Sequence, residues 1–268
     1  MHFNSSCSYT ALAMLLEDRG IDTEDTEIVL EEGLPWIFAE EDDCFCTGAM
    51  LQGKEWFDIF LNPRGLTLVE QFIEKAQLPG YLKEHGMCML GLKLPGNNGK
   101  HAVVFTEYNG SYRFYNPDRE GSKQNVEIIL TEDELLQAAD DSTAVGYLKE
   151  HEVITHPLND LLKESISALH KNYNAIEEFS LSTHTGNEYR EAMDKLFRAL
   201  LLDGITMLDL IGESGLAQEF KDVQRDYMDF MKGPKTGRLA DAISLEKLKE
   251  LADKYARLIL CKLIGPSN

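Results

Sequence analysis

The residue whose setting best suits chemistry is Cys7, which stands where an apolar helix is predicted to begin. Apolar residues recur at helical spacing over residues 6–19, and Gly20 follows at the stop position. The partial positive charge and free N–H groups of a helix N-terminus favour the thiolate, which is the nucleophilic form. The same groups can stabilise an oxyanion beside the sulfur. A small buried thiol is the alternative interpretation of Cys7.

A candidate general base, His101, and a residue that could orient it, Asn116, lie on the two strands of a predicted hairpin. His101 opens a strand over residues 101–108, Asn109-Gly110 is a strong turn signal, and the returning strand ends at Asn116 before Pro117. Because the start of one hairpin strand lies beside the end of the other, His101 and Asn116 are expected to be neighbours. An imidazole held by an amide or carboxylate is typical of a general base. Taken singly, each feature is better explained without a function, His101 as a surface histidine at a strand edge and Asn116 as part of an Asn-Pro turn.

Together the three positions resemble the papain-like cysteine enzymes, in which a cysteine at a helix start precedes a histidine at a strand start and an Asn or Asp before proline. The resemblance is to the compact bacterial branch, which includes the double-glycine leader peptidases and the butirosin-biosynthesis protein H family, and it covers about residues 1–155. It implies that Cys7 is the nucleophile, His101 the general base and Asn116 the orienting residue. Asp118 is the alternative third member.

The oxyanion hole departs from that family's pattern. Papain-like peptidases carry a glutamine a few residues before the cysteine, whereas none of the six residues before Cys7 is glutamine. Asn4 is the nearest amide, and the backbone N–H of Cys7 is the other expected donor. Two functions therefore stay open. One is a hydrolase or acyltransferase that acts on an amide, peptide or thioester through a Cys7 thioester; the other is an inactive papain-like scaffold that binds or regulates.

The resemblance implies a peptide, acyl or amine substrate, or an acyl carrier protein as partner, and no cofactor. Cys44-Phe45-Cys46 has no second cysteine pair at zinc-site spacing, so no metal is expected. The acidic run from Glu40 to Asp43 is expected to be a solvated loop or to select a cationic substrate.

Net charge excludes several classes of partner. The 268 residues include 26 Lys and Arg against 46 Asp and Glu, a formal net charge of −20. Nucleic acid and anionic lipid both require a basic face, so neither is expected to bind. Residues 1–155 carry −17 of this charge and residues 156–268 carry −3. A charged substrate of Cys7 is therefore expected to be cationic.

The elements that must position these residues follow an α+β order, as the papain-like fold does, over a domain of residues 1–155. After the first helix, the sequence predicts short helices and turns over residues 25–62 and a helix over residues 68–76. A helix over residues 132–139 is also predicted. The predicted strands cover residues 87–94, 101–108, 112–116, 126–130 and 145–155.

Residues 156–268 are predicted to form a second domain, an all-α bundle that could form a homodimer. Four apolar stripes at helical spacing indicate four helices. No run of 18 apolar residues occurs, so no membrane span is expected. The N-terminal residues lack a basic segment before an apolar run, and the five cysteines are odd in number and sparse. These features favour a cytoplasmic protein without structural disulfides.

Overall fold

The chain divides into two compact units. Unit 1 comprises residues 1–32 and 52–156, and unit 2 comprises residues 33–51 and 157–268. Residues 33–51 therefore belong with the C-terminal part of the chain, although the sequence predicts a place for them in the N-terminal domain. The computed structural model describes residues 7–94, 99–116, 126–233 and 237–265.

The described residues form both helices and strands. In chain order, the α-helices are α1 (Cys7–Asp18), α2 (Asp25–Glu31), α3 (Lys54–Leu61), α4 (Leu78–His85), α5 (Glu132–Ala138), α6 (Leu158–Ser180), α7 (Gly186–Ala192), α8 (Gly204–Leu210), α9 (Ser214–Lys232) and α10 (Leu245–Ile264). The strands are β1 (Phe38–Glu41), β2 (Cys44–Thr47), β3 (Leu66–Glu74), β4 (Cys88–Lys93), β5 (Lys100–Tyr108), β6 (Tyr112–Asn116), β7 (Val126–Leu130) and β8 (Ser142–Glu150).

Unit 1 is built on a six-stranded antiparallel sheet with the strand order β3-β8-β4-β5-β6-β7. The predicted hairpin is its β5–β6 pair, and Gly110 in the turn has a φ of +95°, which glycine adopts without strain. The combination of this sheet with α1 to α5 confirms the α+β class predicted for the N-terminal part.

One face of the sheet packs against α4 and α5. Val103 and Phe105 of β5 belong to this core, together with Leu82 of α4 and Leu135 of α5. Since successive residues of a strand point to opposite faces, the odd-numbered residues at the start of β5 point toward α4 and α5.

The opposite face of the sheet carries α1. This helix packs against β5, β4 and β8, and it contributes no residue to the core beneath α4 and α5. Val104 is fully buried and points to this second face. Gly91, Ala102 and Gly146 lie on the same face of the sheet as Val104.

The helix predicted over residues 68–76 is wrong, because these residues form strand β3. Leu68, Val69, Phe72 and Ile73 have helical spacing, but the segment pairs along its whole length with β8. Phe72 is 76 % exposed, so it does not contribute to an apolar stripe of the kind that a helix would bury. The conformation of residues 66–74 is determined by pairing with β8, which lies about 75 residues away in sequence. A local sequence pattern contains no information about this pairing.

Residues 25–62 contain the β1–β2 hairpin of unit 2 in addition to the short helices and turns that the sequence predicts. The turn of this hairpin is formed by Asp42 and Asp43, which have φ values of +47° and +62°. Glycine or asparagine usually marks such a left-handed turn. The acidic run from Glu40 to Asp43 is thus the tip of a hairpin.

Unit 2 combines this hairpin with α6 to α10, so it is helical but not all-α as predicted. Phe38 and Phe45 of the hairpin are buried in one core with the helices. The hydroxyl of Tyr255 in α10 donates a hydrogen bond of 2.7 Å to the carbonyl of Pro35. Gly48 has a φ of +55°, and a Cβ there would lie 2.3 Å from the sulfur of Met207. The segment 33–51 is therefore an integral part of the bundle.

The segment between α7 and α8 is not regular α-helix, because it contains two π-helical turns at residues 193–197 and 199–203. Amides from neighbouring helices satisfy carbonyl groups of these turns: Asn172 donates to Leu196 at 2.7 Å, and Gln224 donates to Leu201. Over the residues that the structure describes, every helix is too short or too polar to cross a membrane.

Candidate functional site

Cys7 is the first residue of α1 that the structure describes, within the helix predicted over residues 6–19. The helix is anchored through its apolar side, which includes the fully buried Tyr9, Leu12 and Leu16. The Cys7 thiol is free and half-buried. A partly accessible sulfur at the positive end of a helix is the setting in which a thiol acts as a nucleophile.

His101 and Asn116 are brought together on neighbouring strands. His101 is the second residue of β5 and Asn116 is the last of β6. Val104 pairs with Tyr115, so the same register sets Asn116 opposite Val103. Asn116 and His101 are then diagonal neighbours on one face, at a Cβ separation of about 7 Å.

The hydrogen bond predicted between His101 and Asn116 would join Nδ1 of His101, a possible donor, to Oδ1 of Asn116, a possible acceptor. Both atoms are buried. Oδ1 of Asn116 accepts no hydrogen bond from the residues that the structure describes. The hydrogen bond from His101 to Asn116 that would fix the tautomer and orientation of the imidazole is therefore not formed in this structure, and the orienting role of Asn116 stays a prediction.

Cys7 and His101 approach the same strand from different sides. α1 packs on the Ala102 and Val104 face of β5, whereas the strand directs His101 to the Val103 face. Both residues lie near the ends of their elements. Cys7 is the first described residue of α1, and His101 is the second residue of β5. The thiol and imidazole can therefore meet only around the end of the strand, not across the sheet.

Asn4 and Asp118, predicted as an oxyanion donor and as the alternative third member, lie outside the described residues. The structure instead places another side-chain amide at the start of α1. The hydroxyl of Ser8, the residue after Cys7, donates a hydrogen bond of 2.7 Å to Oε1 of Gln52. Gln52 is 44 residues away in sequence and belongs to the same unit. It was missed at the level of sequence because no local motif connects it with Cys7.

Cys44 and Cys46 lie in β2 of unit 2, and both thiols are free. Burial, assisted by the nearby Glu41, raises the pKa of Cys46 to about 12, so this thiol stays protonated at neutral pH. Within residues 7–94, 99–116, 126–233 and 237–265, no group of three or more His, Cys, Asp or Glu is arranged to hold a metal ion.

The distribution of acidity between the units is more even than the sequence division suggests. The four carboxylates of residues 40–43 belong to unit 2. Unit 1 therefore has 11 Lys and Arg against 24 Asp and Glu, a net of −13, and unit 2 has a net of −7. The unit that holds Cys7 is still the more acidic, and this favours a neutral or cationic ligand over an anionic one.

Neither a scan against protein-family models nor a search of curated proteins finds a match to this chain.

A buried carboxyl group gives unit 1 a testable dependence on pH. Glu32 is 1 % exposed, and burial raises its pKa well above the ordinary value of 4.5. Above pH 4.5 the unfolded chain loses the Glu32 proton while the folded chain keeps it, so the free energy of unfolding falls as pH rises. We expect Glu32→Gln to remove this fall, which amounts to at most about 1.4 kcal/mol per pH unit.

Urea unfolding at pH 5 and pH 7 measures the effect in wild type and Glu32→Gln. The matched control is Glu17→Gln, because Glu17 is exposed in α1 of the same unit and is not among the charges that shift the pKa of Glu32. The stability difference between Glu32→Gln and wild type should grow between pH 5 and pH 7. An unchanged difference would show that Glu32 ionises in the folded protein as it does in the unfolded chain.

Proposed function

We propose that the chain is a cysteine-dependent hydrolase or acyltransferase with a papain-like unit 1, acting on an amide, peptide or thioester. Cys7 is the nucleophile, His101 the general base and Asn116 the residue that orients His101. The observation that carries the proposal is that α1, which holds Cys7, packs on β5, where His101 is a diagonal neighbour of Asn116 on β6. Since α1 lies on the other face of β5, the proposal requires the thiol and the imidazole to meet around the end of that strand.

The proposed reaction proceeds through a thioester. His101 takes the proton of Cys7, and the sulfur attacks the carbonyl carbon to give a tetrahedral oxyanion. The oxyanion collapses as the bond to the leaving amine or thiol breaks, and His101 donates the proton to that group. Water or an amine then attacks the Cys7 thioester, His101 removes the attacker's proton, and the thiol is regenerated. Water as acceptor makes the protein a hydrolase, and an amine makes it an acyltransferase.

The charge of unit 1 supports an amine or a basic peptide as the reacting partner. The state of the cysteines supports a reducing compartment such as the cytoplasm, because Cys7, Cys44, Cys46, Cys88 and Cys261 are all free.

The proposal is tested by the order in which the five thiols react with iodoacetamide at pH 6, followed by peptide mass mapping. Cys261 is exposed and serves as the internal reference. We expect Cys7 to be alkylated at least about 10-fold faster than Cys261. Cys46 and Cys88 should react last, because burial raises the pKa of each to about 12.

The second candidate function is a papain-like binding or regulatory scaffold without catalysis. It is favoured by the placement of α1 on the face of β5 opposite to His101. A scaffold needs no thiolate, so it predicts that Cys7 reacts no faster than Cys261 in the same experiment. That outcome would overturn the enzymatic proposal.

A further inference from the structure

We propose that the outer edge of β3 binds an extended basic segment of a partner protein, which adds to the sheet of unit 1 as a further antiparallel strand. The side chains that would recognise this segment are those of Glu70, Phe72 and Glu74, which lie on one face of β3. The binding does not depend on the reactivity assigned to Cys7.

β3 is an edge strand whose outer backbone groups can be identified from its hydrogen bonds. It lies at one end of the strand order, and no described strand other than β8 pairs with it. At the start of β3, the N–H of His151 donates to the carbonyl of Gly65 at 2.8 Å. Beyond its end, the N–H of Lys75 donates to the carbonyl of Asp141 at 2.9 Å. Since bonding alternates along an antiparallel ladder, the odd-numbered residues of β3 bond to β8 and the even-numbered residues direct their N–H and C=O groups outward.

One of these outward groups has a partner in unit 1. The N–H of Leu68 donates to Oδ1 of Asp58 in α3 at 3.0 Å, which confirms the outward direction of the even-numbered residues. The next even-numbered residues are Glu70 and Phe72, and no strand among the described residues pairs with them on this side. An added strand could therefore form its backbone hydrogen bonds at these two residues.

β3 lacks the features with which proteins usually protect an edge strand. Residues 66–74 contain neither lysine nor proline, and the register with β8 continues along the whole strand without a bulge. Phe72 is 76 % exposed, although phenylalanine is usually buried. An exposed aromatic side chain beside outward backbone groups suits the addition of another strand.

The charges that flank this aromatic ring favour a basic segment. Glu70 and Glu74 lie two residues away from it on either side, on the same face, and both are exposed. Lys93 and Lys100 lie on this face of the sheet as well, but both pair with Asp140. Because every second side chain of an added strand would lie beside these residues, two basic side chains with an apolar one between them would match the edge.

A second copy of this chain matches the edge less well. In an antiparallel pair of two β3 strands, the carboxylates of Glu70 and Glu74 from both copies would lie on one face, opposite or diagonal to one another. Like charges in these positions are destabilising. The formal net charge of −20 adds repulsion between whole chains.

The binding is tested with the fluorescein-labelled peptide TKTVTKT and fluorescence anisotropy on the full chain. Its lysines and valine occupy every second position, so they can lie opposite Glu70, Phe72 and Glu74. We expect saturable binding that weakens as the salt concentration rises from about 50 to about 500 mM. Replacement of both lysines by glutamate should weaken binding at least about 10-fold.

N-methylation of the peptide separates strand addition from attraction between charges. In the antiparallel register, the N–H of the valine points toward β3, whereas the N–H of the neighbouring threonine points away. A peptide methylated at the valine nitrogen should bind at least about fivefold more weakly than one methylated at that threonine nitrogen. Equal affinities, or the reverse order, would overturn the proposal.

Phe72→Lys tests the edge from the side of the protein, because a lysine on an edge strand opposes pairing and would repel the basic peptide. It should lower the affinity for TKTVTKT at least about 10-fold. Ile129→Lys is the matched control, since Ile129 is 53 % exposed on β7, the opposite edge of the same sheet. This variant should keep the wild-type affinity within about twofold. Circular dichroism confirms that both variants are folded.

Three further results would overturn the proposal. The first is the absence of saturable binding up to about 1 mM protein. The second is an equal loss of affinity in Phe72→Lys and Ile129→Lys, which would show that the peptide responds only to overall charge. The third is a sedimentation-equilibrium mass of two chains that falls to one chain in Phe72→Lys, since a second copy would then be the occupant of the edge.

Discussion

Cys7→Ala is expected to abolish the rapid release of p-nitrophenolate from p-nitrophenyl acetate, leaving a rate at least about 10³-fold lower than that of wild type. The variant lacks the only atom that the proposed mechanism allows to form the thioester. The remaining donors at the start of α1 can still bind an oxyanion, so a small residual rate above that of buffer is expected. Stopped-flow absorbance measures the burst, and intact mass detects the acetylated protein.

Two other cysteines provide the controls for this result. Cys261→Ala removes an exposed thiol and Cys44→Ala removes a half-buried thiol of unit 2. Both variants should keep the wild-type burst. The Cys7→Ala chain should also keep its unfolding midpoint within a few degrees, because a half-buried thiol contributes little to packing. A burst that persists in folded Cys7→Ala would remove Cys7 from the mechanism.

His101→Ala is expected to lower the rate of acetylation at pH 7 by about 10²- to 10⁴-fold, which is the usual contribution of a general base. The loss should shrink as pH rises, because hydroxide then deprotonates Cys7 without help from the imidazole. A pH series of the burst rate from pH 6 to pH 9 measures this convergence. A merely structural role for His101 would lower the rate by a similar factor at every pH.

The Asn116→Ala variant tests whether Asn116 orients the imidazole, separately from the role of His101 as the general base. If the amide oxygen orients the imidazole, this variant should lower the rate less than His101→Ala does and keep the pH dependence of a working base. His85→Ala is the control, since His85 is exposed at the end of α4 and its ring stacks on Tyr81. An equal loss in His85→Ala and His101→Ala would argue against a specific role for His101.

The parts of unit 1 that local signals specify could be predicted from the sequence. The apolar period of α1 and the Asn109-Gly110 turn of β5–β6 act over a few residues, and both elements are found where they were predicted. β3 was mistaken for a helix because its conformation depends on the distant β8. The β1–β2 turn was missed because Asp42 and Asp43 adopt left-handed conformations without a glycine.

The candidate site, like the fold, could be predicted from the sequence only in part. Cys7, His101 and Asn116 each mark the end of an element, and element ends can be recognised in a sequence. The Ser8–Gln52 contact spans 44 residues and depends on where the chain re-enters unit 1, so no local pattern could reveal it.

The placement of residues 33–51 in unit 2 has a consequence for the order of synthesis. The hydrogen bond between Pro35 and Tyr255 joins residues 220 positions apart. At about 5–20 residues per second, a ribosome needs on the order of 10–40 s to extend the chain from one to the other. During that interval Phe38 and Phe45 have emerged before the α10 helix that completes their core. The apolar side chains of the hairpin therefore lack their partners in α10 from their own synthesis until that helix has been made.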